Sequence, residues 1–234
     1  MTLLAGVDGC KAGWVAAIAD TGGGRLRVEV FGDVAALLER LAGAAVIGVD
    51  IPIGLTDAGP RACDGAARRL LGRPRSSSVF PAPVRPVLHA ATRAEADRLH
   101  RAADGRGFGP HAWNIVPKIR EWDAALRARR ALARRVFEVH PEVAFAALNG
   151  GAIAAPKRGR EGHARRRQLL RRVYGAAPVA AALAALPRRA AGPDDVLDAL
   201  AVLWSAARIH RGEAVSLPAP PETDGAGLPM AIWY

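Results

Sequence analysis

The order of apolar and polar residues divides the chain into strands and helices. "LLAGVDG" (3–9) is a short apolar run that ends at an acid, and "GWVAAIAD" (13–20) is a second. The glycines and Lys11 of "GCKAG" predict a turn between them. "RLRVEVFG" (25–32) alternates like a half-exposed third strand, after the turn "DTGGG" (20–24). "DVAALLERLAG" predicts a helix with Asp33 as its N-cap and Gly43 beyond its end. In "AAVIGVDIPIG" (44–54) the core "VIGV" is apolar throughout, as expected of a central strand buried on both faces. It too ends in an acid, Asp50.

Further along, "RACDGAARRLLG" (61–72) has the pattern of a surface helix and "RPRSSSVFPAPVRP" (73–86) that of a Pro/Ser loop. A helical stretch near 92–104, a Gly-rich loop (105–109) and one long helix over 113–133 follow, the start of the last blurred by Pro117. "RRVFEVHPE" (134–142) predicts a fifth strand, ending in His140 and Glu142. Two helices near 162–174 and 177–186 precede a last helix at 193–211 and a Pro-rich tail. No repeat or linker divides the chain. The expectation is a single α/β domain over 1–234: a mixed five-stranded sheet, helices on both faces and a helical insertion at about 60–130.

The last helix carries a contradiction. "DDVLDALAVLWSAA" (194–207) is apolar on every side, so it should be buried, yet it opens with three aspartates. Asp194 is explained as an N-cap and Asp195 as an anion at the helix dipole. Asp198 lies one turn in, among Leu197, Ala199 and Leu200, where a carboxylate must be paired or hold a metal.

Asp8 and Asp50 fall at strand ends, and Asp195 and Asp198 share one helix face. If strands one and four are neighbours and the last helix crosses them, all four acids meet at one point. Alone, Asp8 could open a turn, Asp50 could cap the next segment and Asp195 could be only a first-turn anion; one site explains all four together. Such a cluster stays ionised only with cations, and all-oxygen ligands suit Mg²⁺ or Mn²⁺. Two such ions about 3.5–4 Å apart form the usual clamp for in-line attack on a phosphodiester.

Charge points the same way. The net charge is +11, and only three of the 33 cationic residues are Lys. Residues 118–190 hold 17 Lys and Arg against 5 Asp and Glu, while the rest of the chain is near neutral. This segment is either a solvated helical surface or a face for phosphates. It supplies the candidate substrate contacts Lys118, Lys157, Arg158, Arg165 and Arg166, with Lys11 in the first turn. His140 is a candidate general base or a donor to a carboxylate, with Glu142 beside it. Glu121 and Asp123 read as ordinary surface charges. Ser76–Ser78 lack a fitted base and a G-x-S-x-G setting, so a serine nucleophile is rejected.

No apolar run reaches the ~18 residues of a membrane span and the N-terminus has no basic signal region, so no membrane is expected. Cys10 and Cys63 form no CxxC or zinc pattern, which fits a reducing cytoplasm.

"GVDGCKAGWV", "VDIPIGL", "FEVHPE" and "DDVLDALAVLWSA", with "RACDGAARRLLGRPRSSSVFPAPVR" and "HAWNIVPKIREWD", resemble a domain-of-unknown-function family of predicted nucleases with ribonuclease H-like fold. The "DxxDALA" at 195–201 is also similar to that of Holliday-junction resolvases. The resemblance implies that fold and a metal-dependent nuclease site at Asp8, Asp50, Asp195 and Asp198. The chain departs from the family at Ala155 and Pro156, before Lys157, where other members often carry Ser-Lys-Lys. The expected function is Mg²⁺- or Mn²⁺-dependent hydrolysis of nucleic acid, with room for a homodimer. Two alternatives compete: an actin-like ATP-using phosphotransferase, for which "DGCKAG" would cradle phosphate but a second such hairpin is missing, and a non-catalytic nucleic-acid-binding module, which would gain nothing from clustered acids.

Overall fold

A computed structural model describes residues 1–22 and 25–234, so Gly23 and Gly24 of the predicted "DTGGG" turn lie outside the described residues. The chain forms a five-stranded mixed sheet with helices on both faces, in the order β3-β2-β1-β4-β5. The strands are β1 (Leu3–Cys10), β2 (Gly13–Asp20), β3 (Arg27–Phe31), β4 (Ala44–Val49) and β5 (Val136–Glu138). The first three are joined as antiparallel hairpins, and β4 and β5 run parallel to β1. The apolar "VIGV" of β4 is explained by this position, since it is paired on both edges and covered on both faces.

Eight helices are present among the described residues: α1 (Val34–Arg40), α2 (Ala62–Arg75), α3 (Arg93–Asp104), α4 (Pro110–Ala128), α5 (Pro141–Asn149), α6 (Arg160–Tyr174), α7 (Ala176–Ala184) and α8 (Pro193–His210). Alternation along β1 sorts the core. Ala5 and Val7 pack with α1 and α4 (Leu37, Ile119, Trp122), while Leu4 packs with α8 and the helices around it. Within the segment 62–128, α4 packs against the sheet on the face it shares with α1, through Ile119, Trp122 and Leu126.

Asp33 caps α1 as expected, its carboxylate accepting from Ala36 N at 2.8 Å, and the helix closes at Leu41 with Gly43 beyond its end. The fifth strand is shorter than predicted. It stops at Glu138 because Pro141 starts α5, nine largely buried residues whose all-round apolarity hides any helical period. Pro117 does not delay α4, which begins at Pro110 and keeps Pro117 on its exposed side. The Pro-rich tail is not irregular: β6 (Ser216–Thr223) and β7 (Pro229–Trp233) form an antiparallel ribbon packed on α2 and β5, with Trp233 edge-on to Phe137. No helix among the described residues is long and apolar enough to cross a membrane.

Close packing of α8 on β1 and β4 sets up the site. A methyl group on Gly6 would collide with the backbone of α8 at Leu203 N and Ala199 O; one on Gly48 would stand 2.8 Å from Val202 Cγ1. Only hydrogen at these two positions lets the helix lie this near the sheet. Asp8 and Asp50 follow two residues later, on the same face, where the helix presents Asp198.

Candidate functional site

Three of the four acids expected at one point, Asp8, Asp50 and Asp198, line the same cavity. Val7 pairs with Val49, and Asp50 N donates to Val7 O at 2.9 Å, so Asp8 and Asp50 sit side by side at adjacent strand ends. Asp8 and Asp198 are only 8% and 3% exposed. All three line a cavity of about 530 Å³.

Their protonation follows from that confinement. Burial and then the charge of Asp50 hold the Asp8 carboxyl well above the usual carboxylate range, with Asp198 adding to the effect. Burial pushes Asp50 up to about 7, against the pull of Lys157 and a hydrogen bond from Asp8. Asp8 and Asp50 are thus placed so that ionising one opposes ionising the other. Burial raises Asp198 to about 6, although Lys157 donates to its Oδ2 at 2.8 Å. Lys157 is the paired cation that Asp198 requires. Burial opposes its charge, but Asp198, Asp8 and Asp50 together hold its ammonium above the ordinary lysine value.

The donor chemistry suits a hard divalent cation: carboxylates whose ionisation is resisted by burial and by each other. Their present placement does not close a coordination shell, since among the described residues no group of three His, Cys, Asp or Glu side chains could hold an ion as it stands. Lys157 supplies the positive charge instead.

Asp195, expected beside Asp198, is turned away. Its Oδ2 accepts from Gly192 N at 2.8 Å and closes the start of α8, whose N-cap is Gly192 rather than Asp194. A first-turn carboxylate three residues past the cap finds that amide before it can reach the cavity.

The other candidates divide. His140 lines the cavity; its Nε2 lies 3.3 Å from Ser78 O and so carries the hydrogen, while Nδ1 has no partner. Burial holds the ring below its ordinary pKa, so it is neutral at pH 7 with a free lone pair on Nδ1. Glu142 also lines the cavity but is gripped by both Nη2 and Nε of Arg166 at 2.7–3.1 Å. Arg166 is therefore not a substrate contact: it is 1% exposed, and its remaining donors go to Gly162 O and Ala155 O. Arg165 is tied to Asn149 and Gln168. Arg158 is well exposed and near Asp194, and Lys11 is exposed on the β1–β2 turn outside the cavity. Lys118 reaches the cavity from α4, donating to Gly13 O with its ammonium 4.3 Å from the centre of the Trp14 ring. Glu121 is no idle surface charge, since it accepts from Trp14 Nε1 and Val34 N; Asp123 pairs with Arg85.

The family model described as "Protein of unknown function (DUF429)" matches residues 6–223. The chain belongs to that family. No curated protein and no solved structure matches it.

This DUF429 chain also builds its cavity from residues that motif reasoning passed over. Arg61 is buried between Glu138 (2.7 and 2.8 Å) and Asp64 (2.6 Å), and all three line the cavity. Glu138 also accepts from Ile53 N and Asp64 from Ala82 N, so this triad locks the chain after β4 to β5 and α2. Its one legible signal was Glu138, an acid inside the apolar "VFEV", the same contradiction as Asp198. Arg75, Ser77, Ser78 and Phe80 also line the cavity. The Pro/Ser loop gave no sign of this, because its position depends on a kink in α2 at Gly72 and Arg73.

Proposed function

We propose that the protein is a Mg²⁺- or Mn²⁺-dependent nuclease of ribonuclease H-like fold, hydrolysing phosphodiester bonds in nucleic acid. The observation that carries this is the convergence of Asp8, Asp50 and Asp198 from β1, β4 and α8 on one cavity, with Lys157 and Lys118 beside them. The strand order, with three antiparallel strands leading into two parallel ones, supports the fold assignment. Asp8, Asp50 and Asp198 would hold the cation in exchange for Lys157, and Asp195 would contribute only through the start of α8. When bound, the cation supplies charge stabilisation at the phosphoryl oxygens. Lys157, once released from Asp198, and Lys118 bind and orient the phosphate. His140, neutral and with its buried Nδ1 unpartnered, would take a proton from the water whose oxygen bonds to phosphorus, while the phosphorus–oxygen bond to the leaving nucleotide breaks and its oxygen takes a proton from solvent. Arg166 and Arg61 hold Glu142 and Glu138 in place. The exposed Arg158, Arg160, Arg167 and Arg171, which line one groove along α6 and the residues before it, offer the backbone a longer track.

The test is thermal unfolding with and without Mn²⁺, beside cleavage of labelled DNA and RNA. A ligand bound only to the folded state raises Tm. Mn²⁺ should raise the Tm of the wild type, the shift should collapse in Asp50→Asn, and cleavage should need Asp50 and the metal. No shift in the wild type, or an equal shift in the variant, would remove the carboxylate cluster as a metal site.

A further inference from the structure

The cavity combines carboxylates and cationic side chains with an apolar lining. Beside the carboxylates, its wall is made of Ile51, Pro52, Ile115, Val79, Phe80 and Pro81. Phe80 is the unusual member: a large aromatic ring left 55% exposed at a cavity wall, on the segment that follows the kink of α2. Nothing in the carboxylate chemistry calls for an aromatic there. Arg75, which also lines the cavity, has its Nε buried without a hydrogen-bond partner, although a guanidinium N–H is normally satisfied when buried. An exposed aromatic ring, the guanidinium of Arg75 with its Nε unpartnered, and the ammonium of Lys118 together describe a ligand with one flat hydrophobic ring and one anionic group.

We infer that the cavity takes a single unpaired nucleotide, its base stacked on Phe80 and its phosphate toward Arg75 and Lys118, so that the substrate is single-stranded nucleic acid. The inference rests on the nuclease proposal for the identity of the anionic group as a phosphodiester. A volume of about 530 Å³ is of the size that encloses one small organic ligand. A duplex keeps its bases stacked inside and cannot place one against Phe80 without first unpairing it. Aromatic stacking accepts any base, so the preference is for strandedness over sequence.

The experiment uses the full chain and a short oligonucleotide carrying one 2-aminopurine, as a single strand and as a duplex, at one fixed salt concentration. Binding is measured in EDTA and again in Ca²⁺. The single strand should bind at least about tenfold more tightly than the duplex, with the 2-aminopurine emission quenched by stacking. Phe80→Ala should weaken single-strand binding by about 5- to 100-fold and abolish the quenching, and Phe80→Trp should keep both. Because Phe80 is exposed, neither change opens a hole in the core. Equal affinity for the duplex, or an unchanged Phe80→Ala variant, overturns the inference. Adenosine monophosphate that displaces the oligonucleotide at equal concentration also overturns it, assigning the cavity to a free nucleotide. Cleavage of duplex by wild type and Phe80→Ala alike would refute this inference and leave the nuclease standing; stacked single-strand binding without cleavage in Mg²⁺ or Mn²⁺ would do the reverse.

Discussion

Replacing Asp50 by Asn tests the electrostatics of the cluster without any metal. Asp50 has its pKa pushed up to about 7, from an ordinary 3.8, so the folded state holds a proton that the unfolded chain releases. For a group raised in this way, the stabilisation is complete below pH ~4 and is lost as pH rises through ~7. The gap corresponds to about 4 kcal/mol at 1.36 kcal/mol per pH unit, an upper bound because Asp50 is partly open to the cavity and water screens it. About 2–4 kcal/mol is the working range. Asn keeps the shape, can still accept from Asp8 and cannot ionise. It also relieves Asp8 and Asp198, whose pKa values Asp50 raises. Urea melts in EDTA at pH 4.5 and 8.5 should therefore show the wild type losing about 2–4 kcal/mol more than Asp50→Asn over that interval. Equal losses, or a greater loss in the variant, would show that Asp50 is ionised at no cost and that the three carboxylates are not confined together.

Three further outcomes follow from the packing and the charge placement. Gly6→Ala should destabilise the protein by about 3 kcal/mol or more in a denaturant melt, since its methyl meets the backbone of α8 and no side chain can move to relieve it; a loss under about 1 kcal/mol would mean the helix does not lie this close. Arg166→Ala should cost about 3–5 kcal/mol of stability, because it leaves Glu142 buried and unpaired, while the salt dependence of nucleic-acid binding stays unchanged in the folded variant. Arg160→Ala and Arg167→Ala should instead leave stability nearly unchanged and flatten the slope of log K against log salt by about 0.7–0.9 for each phosphate left without its arginine; an unaltered slope would make the α6 face a solvated surface only.

The sequence by itself determined the five strands of the main sheet and most of the helices, and the structure decided the order in which the strands pair. Alternation in β3, the unbroken apolar core of β4 and the capped start of α1 are local properties, written in neighbouring residues. Asp198 was legible because a carboxylate in an all-apolar helix is inconsistent within its own window. Only the tertiary structure decided what that carboxylate meets. Lys157 lies 41 positions away, in an irregular loop whose own sequence has no period. The separation of Asp195 from Asp198 turned on which hydrogen-bond partner lay nearest, the Gly192 amide, and residue spacing along a helix cannot express that choice. Arg166 shows the same limit from the other side: within "ARRRQ" three arginines look alike, and only the direction in which α6 faces the core buries one of them against Glu142 while Arg167 stays in solvent. The β6–β7 ribbon and the Phe80 wall were hidden for a related reason. Prolines obscure local pattern, and both segments take their conformation from what they pack against.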